Sequence, residues 1–245
     1  MAVRVEICVA SIEEALVAHD AGADGIEVCT WLACGGVTPS SGLVDAIRAM
    51  VTLPARVLVR PGPGGFQYTQ AEQAVLLTDA EVFGAGAIGL VLGALTASGE
   101  CDASVMSAVK RLAPESEITF HRAIDQATDP IRIVESCIEL GIDRILTSGG
   151  ATLAVDGVET IKRIIASAGE GCEVAIAGGI GPGNVVELVE RTGAKEIHFA
   201  AQRAKASMQN KVAMSSTNVG VNFETVPDQA KIEGVLNALV KAGLR

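Results

Sequence analysis

The chain has 245 residues, 49% of them hydrophobic, and its 19 Lys and Arg against 29 Asp and Glu give a formal charge of −10. That balance argues against nucleic acid or an anionic membrane as a partner, and one Trp, one Tyr and five Phe leave little surface for stacking bases. About 250 residues is the usual size of a single (β/α)8 barrel, and no composition shift, Ser/Pro-rich linker or charge run divides residues 1–245, so a single domain is expected.

The N-terminal segment MAVRVEICVASIEEA lacks the basic stretch and apolar core of a secretory signal. A cytoplasmic location is therefore expected, with Cys8, Cys29, Cys34, Cys101, Cys137 and Cys172 as free thiols. No C-x-x-C pair occurs among them, which argues against a structural zinc site. The uncharged stretch 82–99 is broken by glycines and closes on Thr96 and Ser98. It reads as a helix end followed by a buried strand, and no membrane span is expected.

Self-similarity organises the rest. The pattern Gly-x-x-x-Ile recurs at Gly22/Ile26, Gly84/Ile88, Gly141/Ile145 and Gly193/Ile197. Each glycine closes an amphipathic stretch and precedes a short β-type run, as a left-handed helix stop feeding a strand would. Those runs, 25–29, 87–93, 144–148 and 196–200, interleave with four more at 3–9, 55–60, 117–121 and 173–177. Eight strands alternating with helical segments of about 10 to 18 residues predict an α/β fold, a parallel TIM (β/α)8 barrel, with a doubly wound open sheet as the alternative. Residues 202–227, rich in Ser, Asn and Met, form a long loop after the eighth strand, either a lid over the mouth or partly disordered; residues 228–243 form the last helix.

In a barrel strand one parity faces the helices and must be apolar, while the other faces the interior. With Val3, Val5 and Ile7 outward, Glu6 and Cys8 point inward; with Ile26 and Val28 outward, so do Glu27 and Cys29. The same parity turns Arg60, His121 and His198 inward and predicts that they converge with Glu6 and Glu27 at the C-terminal mouth, where barrels of this kind place their sites. Buried charges must pair or bind something; the alternative is a layer of core ion pairs with Arg4, Arg56 or Arg60. Cys8 and Cys29, on adjacent strands, either approach each other as two soft sulfurs suited to Cu(I) or serve as small buried hydrophobes; Cys34 in the next loop offers a third sulfur.

Beyond the fifth strand, His121, Arg122 and Asp125 fall in the strand-to-loop turn where catalytic groups of barrels sit, with helix capping as the other reading of Asp125. The turn 177–184, with Gly178 and Gly179, offers backbone amides to a phosphate or carboxylate, or merely makes a tight βα turn with Pro182 opening a helix. Ser148, in the turn after the sixth strand, is a similar anion-binding candidate.

Seven segments, in order along the chain, resemble the copper homeostasis protein CutC family: Val5-Glu-Ile-Cys-Val9, Gly22-Ala-Asp-Gly-Ile-Glu-Val-Cys29, Gly35-Gly-Val-Thr-Pro-Ser40, Val59-Arg-Pro61, Thr119-Phe-His-Arg-Ala123, Arg144-Ile-Leu-Thr-Ser-Gly149 and Glu196-Ile-His198. The segment Ala213-Met-Ser-Ser216 is similar to the family's post-barrel region. The resemblance implies a cytoplasmic, homo-oligomeric TIM barrel that takes part in copper handling, with Cys8 and Cys29 matching the cysteines proposed there as Cu(I) ligands. Two departures stand out. The family's R-P-R-G-G-D-F is here Arg60-Pro-Gly-Pro-Gly-Gly-Phe66, which removes one arginine and one aspartate, and Cys34 replaces a glutamate.

Two functions therefore compete at this level. One is Cu(I) binding by Cys8 and Cys29, with Cys34 as a third sulfur. The other is acid/base chemistry of lyase, isomerase or hydrolase type on a small polar, anionic or sugar-like substrate. In that reading Glu6 or Glu27 is the base, His121 the acid or electrophile, and Arg60 with Arg122 the anion anchor. Two carboxylates beside two histidines also suit a divalent metal, Mn2+ or Zn2+. No nucleotide cofactor is expected.

Overall fold

In a computed structural model, residues 2–205 and 224–245 are described. Eight parallel strands close into a barrel: β1 (Arg4–Val9), β2 (Gly25–Val28), β3 (Ala55–Leu58), β4 (Gly89–Leu92), β5 (Ile118–Phe120), β6 (Arg144–Thr147), β7 (Glu173–Ala177) and β8 (Glu196–Ala200). Pairing of β8 with β1, Glu6 opposite His198 and Cys8 opposite Ala200, closes the ring and rules out the open sheet.

The helices that return the chain are α1 (Ile12–Ala21), α2 (Ser41–Met50), α3 (Gln70–Gly84), α4 (Ala103–Leu112), α5 (Pro130–Glu139), α6 (Val158–Ala168), α7 (Val185–Thr192) and α8 (Gln229–Lys241). Short polar side chains start most of them by accepting a free N–H of the first turn: Ser11, Ser40, Asp102, Asp129 and Asp228, and Thr69 in a reciprocal capping box with Glu72. Against these helices the outward strand residues, such as Val5, Ile7, Ile26, Val28, Val57, Phe120 and Ile197, form one continuous apolar shell. Burying each such side chain contributes about 1.5 to 3 kcal/mol.

Three of the four repeated glycines, Gly22, Gly141 and Gly193, adopt the left-handed stop expected of them. Gly84 does not: it is the last residue of α3, and the left-handed residue is Ala87. A Cβ at Gly84 would lie 2.4 Å from that of Ala113, so close approach of α3 to the end of α4 demands glycine here. Pro182 likewise sits in a turn ahead of α7, not at its first position, and packs on Gly234 of α8.

The segment after β8 is more ordered at its ends than a plain loop. Residues Gln202–Ala204 (β9) and Thr225–Pro227 (β10) pair antiparallel, pinning both ends of the excursion beside the barrel. Its centre and the Ala213–Ser216 motif lie outside the described residues. Among the described residues, no helix is long and apolar enough to cross a membrane.

Charged side chains at the strands' N-terminal ends fill the barrel floor. Arg144 is fully buried (0% exposed) and donates to Glu6 Oε1 at 2.7 Å and Glu196 Oε1 at 2.6 Å. Arg56 donates to Glu6 Oε2 at 2.5 Å and, through two nitrogens, to Glu117. Arg4 bridges Glu196 and Glu173. Removing one partner of such a layer leaves desolvated carboxylates uncompensated. Arg144→Met is therefore expected to lower stability by about 3 to 5 kcal/mol, read as a shifted urea-unfolding midpoint; a midpoint within error of the parent would refute the floor's importance.

Candidate functional site

Above this floor the mouth opens into a cavity of about 370 Å3, lined among others by Cys8, Glu27, Arg60, His121, His198 and Lys231. The register of β1 with β2 sets Cys8 beside Glu27, and their inward parity turns both side chains to the interior. The Cys8 thiol lies 3.4 Å from Glu27 Oε1 and 3.3 Å from the sulfur of Cys29. Cys29 itself is fully buried (0% exposed). Gly36, with φ of 84°, lays the following loop over it; a Cβ there would meet Leu58 at 2.7 Å and Cys29 at 3.5 Å.

His198 comes in from β8 and donates or shares its Nδ1 hydrogen with Glu6 Oε1 at 2.8 Å. Cys8, Glu27 and His198 each bring one possible ligand atom within 4.8 Å of the others'. The second oxygen of Glu27 is buried without a hydrogen-bond partner among the described residues.

Glu6 does not reach the mouth. It sits one layer down, held by Arg144, Arg56 and His198 at once. Burial alone would raise its pKa, but Arg144, His198 and Arg56 together hold the carboxyl well below the usual range. Glu27 has the opposite balance: burial, reinforced by the Glu6 charge, raises its pKa against the pull of His198 and Arg144. The Cys8 thiol is pushed well up by its bond with Cys29, by burial and by Glu27, so it keeps its proton when no cation is near. His198 is moved up because the Glu27 and Glu6 carboxylates outweigh the cost of burial.

The opposite wall is built from β3 and β5. Burial, then the neighbouring Arg60, pushes His121 down to about 3, so it is a neutral imidazole. Its Nδ1 accepts from the Ala123 N–H at 3.2 Å, which puts the ring hydrogen on Nε2, a buried donor with no partner among the described residues. Phe66 packs against the ring at 4.6 Å between centroids. Arg60 lines the cavity, but its guanidinium is engaged in pinning loops: it donates to the carbonyls of Cys34, Gly36 and Gly64 and lies 5.2 Å over the Phe66 ring.

Arg122, Asp125 and Ser148 form a clasp. Asp125 accepts from Thr147 Oγ1 at 2.6 Å, from the Ser148 N–H and hydroxyl, and from the Gly150 N–H, while Arg122 donates to Asp125, to Ser148 Oγ and to the Ala151 carbonyl. The helix cap is Asp129, so Asp125 braces the β6 turn and caps no helix. Ser148 spends its hydroxyl in this brace. Gly178 and Gly179 line the mouth cavity. Cys34 does not join the other thiols: it donates to the Trp31 carbonyl at 3.1 Å and lines an adjoining cavity.

One residue escaped the sequence reading. Lys231, from the first turn of α8, donates to the Ala200 carbonyl at 2.7 Å, lies 5.1 Å over the Phe199 ring and brings a cation to the cavity that Gly178 and Gly179 line. Only the closure of α8 against the barrel mouth reveals it, because inward parity says nothing about helices.

Comparisons with known proteins agree with this geometry. The family model described as the CutC family matches residues 3–203. A CutC family protein of Glaesserella parasuis is 36% identical over 236 residues, covering 95% of this chain and 97% of its own. A human protein named copper homeostasis protein cutC homolog is 36% identical over 245 residues, covering 97% of this chain and 89% of its own. Among solved structures, CutC from Streptococcus agalactiae superposes with a TM-score of 0.76 at 25% identity, covering 80% of this chain and 98% of that one. Phosphoribosylanthranilate isomerase of Thermotoga maritima, at a TM-score of 0.57 and 12% identity, shares the fold.

The buried neutral His121 makes stability pH-dependent with a definite sign. An unfolded histidine binds a proton near pH 6.5 while the folded one resists until about 3, so stability is complete above 6.5 and is lost as pH falls towards 3. Against His121→Asn, the parent is expected to lose about 1.4 kcal/mol more per pH unit in that window. Urea unfolding at pH 7, 5.5 and 4.5 reads the difference; parallel profiles would refute it.

Proposed function

Because the chain belongs to the CutC family, we propose that it takes part in copper handling by holding Cu(I) between Cys8 and Cys29 at the barrel mouth. The observation that carries this reading is the 3.3 Å contact of the two sulfurs, one lining the cavity and the other sealed behind it. Soft thiolates select Cu(I) over the harder ions of the cell. The donor set fits: two buried thiols are already in contact.

Both thiols must lose their protons as the ion enters, and the raised pKa of Cys8 makes that release part of binding. Copper affinity therefore weakens in acid. Competition of the reduced protein with a Cu(I) chelator is expected to show about one ion per chain, and Cys29→Ser to weaken binding about 100-fold or more. Unchanged affinity in Cys29→Ser would sink the paired-thiol reading.

A second reading is favoured by one specific observation, the buried Nε2–H of neutral His121, without a partner among the described residues, in the wall of a cavity that Glu27 also lines. A neutral imidazole donor can polarise a carbonyl, and a carboxyl with a raised pKa can exchange a proton beside it. Glu27 takes the base role, since Glu6 is held by three cationic or donor groups. Anion anchoring falls to Lys231 and the amides of Gly178 and Gly179, because Arg60 and Arg122 are already engaged. In a screen of small sugars, keto acids and their phosphates, turnover is expected that Glu27→Gln and His121→Asn abolish. Turnover insensitive to both substitutions would exclude this site.

A further inference from the structure

We infer that Cys8, Glu27 and His198 form a mixed sulfur, oxygen and nitrogen centre for a divalent ion of the zinc class, with one coordination position open to the cavity. The inference goes beyond the copper reading, sharing Cys8 with it but making no use of Cys29.

Three independent features point to it. First, one ligand atom from each residue lies within 4.8 Å of the other two, so a single ion can contact all three with small side-chain movements. Their chemistry is thiol, carboxylate and imidazole, a set that borderline ions such as Zn2+ accept together, whereas two-coordinate Cu(I) has use only for the sulfurs.

Second, the cluster contains an unsatisfied group. Glu27 is only 4% exposed, and its Oε2 has no hydrogen-bond partner among the described residues. A buried carboxylate oxygen without a donor costs free energy that a cation beside it would recover.

Third, His198 is already oriented as metal-binding histidines are. Its Nδ1 is tied to Glu6 Oε1 at 2.8 Å, and Glu6 is fixed in turn by Arg144 and Arg56, so Nε2 is the nitrogen left for a ligand. A carboxylate behind the ring sets its tautomer and direction. This assigns Glu6, which parity had placed among the catalytic candidates, to positioning.

Cys8, Glu27 and His198 all line the cavity, and Cys29 does not. Three protein ligands with an accessible side match sites that leave a position for water or a ligand oxygen, as opposed to closed four-ligand structural sites. The ligand class is therefore a small molecule offering an oxygen donor, of a size set by a cavity of about 370 Å3.

Co2+ serves as the spectroscopic stand-in for Zn2+. Titration of the reduced protein is expected to saturate at one Co2+ per chain, with a thiolate charge-transfer band and the visible bands of low coordination, and Zn2+ should displace it. Cys8→Ser should abolish the charge-transfer band, and Glu27→Gln and His198→Asn should each weaken binding about 100-fold or more. Cys29→Ser should keep Co2+ affinity within about threefold while losing Cu(I), which separates this centre from the thiol pair. Failure of the parent to bind Co2+, or equal losses in Cys29→Ser and Cys8→Ser, would overturn it. If His198→Asn fails to fold for want of its bond to Glu6, Glu27→Gln decides alone, since among the described residues the one hydrogen bond of the Glu27 side chain is with the Cys8 thiol; parent-like affinity in that variant would overturn the centre.

Discussion

The Arg144 guanidinium, wholly buried and gripped by Glu6 and Glu196, is the contact on which the rest of the interior depends. A charge that far from water is tolerable only if every neighbour is matched, and here one cation needs two carboxylates, which in turn recruit Arg56 and Arg4. The result joins strands β1, β3, β6 and β8 across the barrel axis with charge-assisted bonds. It also determines what the mouth contains. Glu6 is held ionised below it, and through His198 Nδ1 the floor orients a ring that belongs to the mouth. Structure and site are thus coupled through a single carboxylate.

Above the floor the two walls differ in chemistry because they differ in what surrounds them. On β8, β1 and β2, imidazole, thiols and carboxyl crowd together, so the Cys8 thiol and the Glu27 carboxyl hold their protons more tightly than usual. Facing them, His121 is buried against Phe66, near the Arg60 charge, and stays neutral. Arg60 has become a structural cation: Nη1 and Nη2 donate to three carbonyls that draw the β2 and β3 loops together, while its buried Nε–H has no partner among the described residues. Lys231 supplies the remaining positive charge from outside the barrel. A guest spanning the cavity would meet thiol, carboxyl and imidazole on one side and His121 on the other, a division compatible with both proposed readings.

Alternation along β1, β2, β3, β5 and β8 was enough to turn Glu6, Cys8, Glu27, Cys29, His121 and His198 inward, because the outward residues of these strands are apolar. Parity gives the face but not the depth. Glu6 and Cys8 share a face, yet two positions along β1 separate an ion-pair floor from a ligand-lined mouth. Arg144 and Glu196 open their strands, where an isolated charge looks like a solvated strand end, so their burial was hidden until the strands closed into a ring. Local hydrogen-bond choices were equally hidden. Asp125 and Asp129 are both plausible caps in the sequence, and only the proximity of the β6 turn draws Asp125 away from that role. Gly84 fits the repeat by position while answering a different need, the Cβ of Ala113.

The same reasoning locates the consequence of the chain's departures from its family. Gly62 and Gly65 stand where relatives carry arginine and aspartate, and a Cβ at either position would meet nothing within 4 Å, so no packing need explains the glycines. Their loop is nonetheless held, because Arg60 binds the Gly64 carbonyl at 2.6 Å, a contact that does not depend on the missing side chains. Cys34, in place of a glutamate, turns its thiol to the Trp31 carbonyl and leaves the Cys8–Cys29 pair untouched. Both changes therefore fall on the rim and alter the charge that an approaching ligand meets. The wall of β8, β1 and β2, buried and joined to the floor through the His198–Glu6 contact, is touched by neither change, and leaving any one of its charged groups unpaired would be costly.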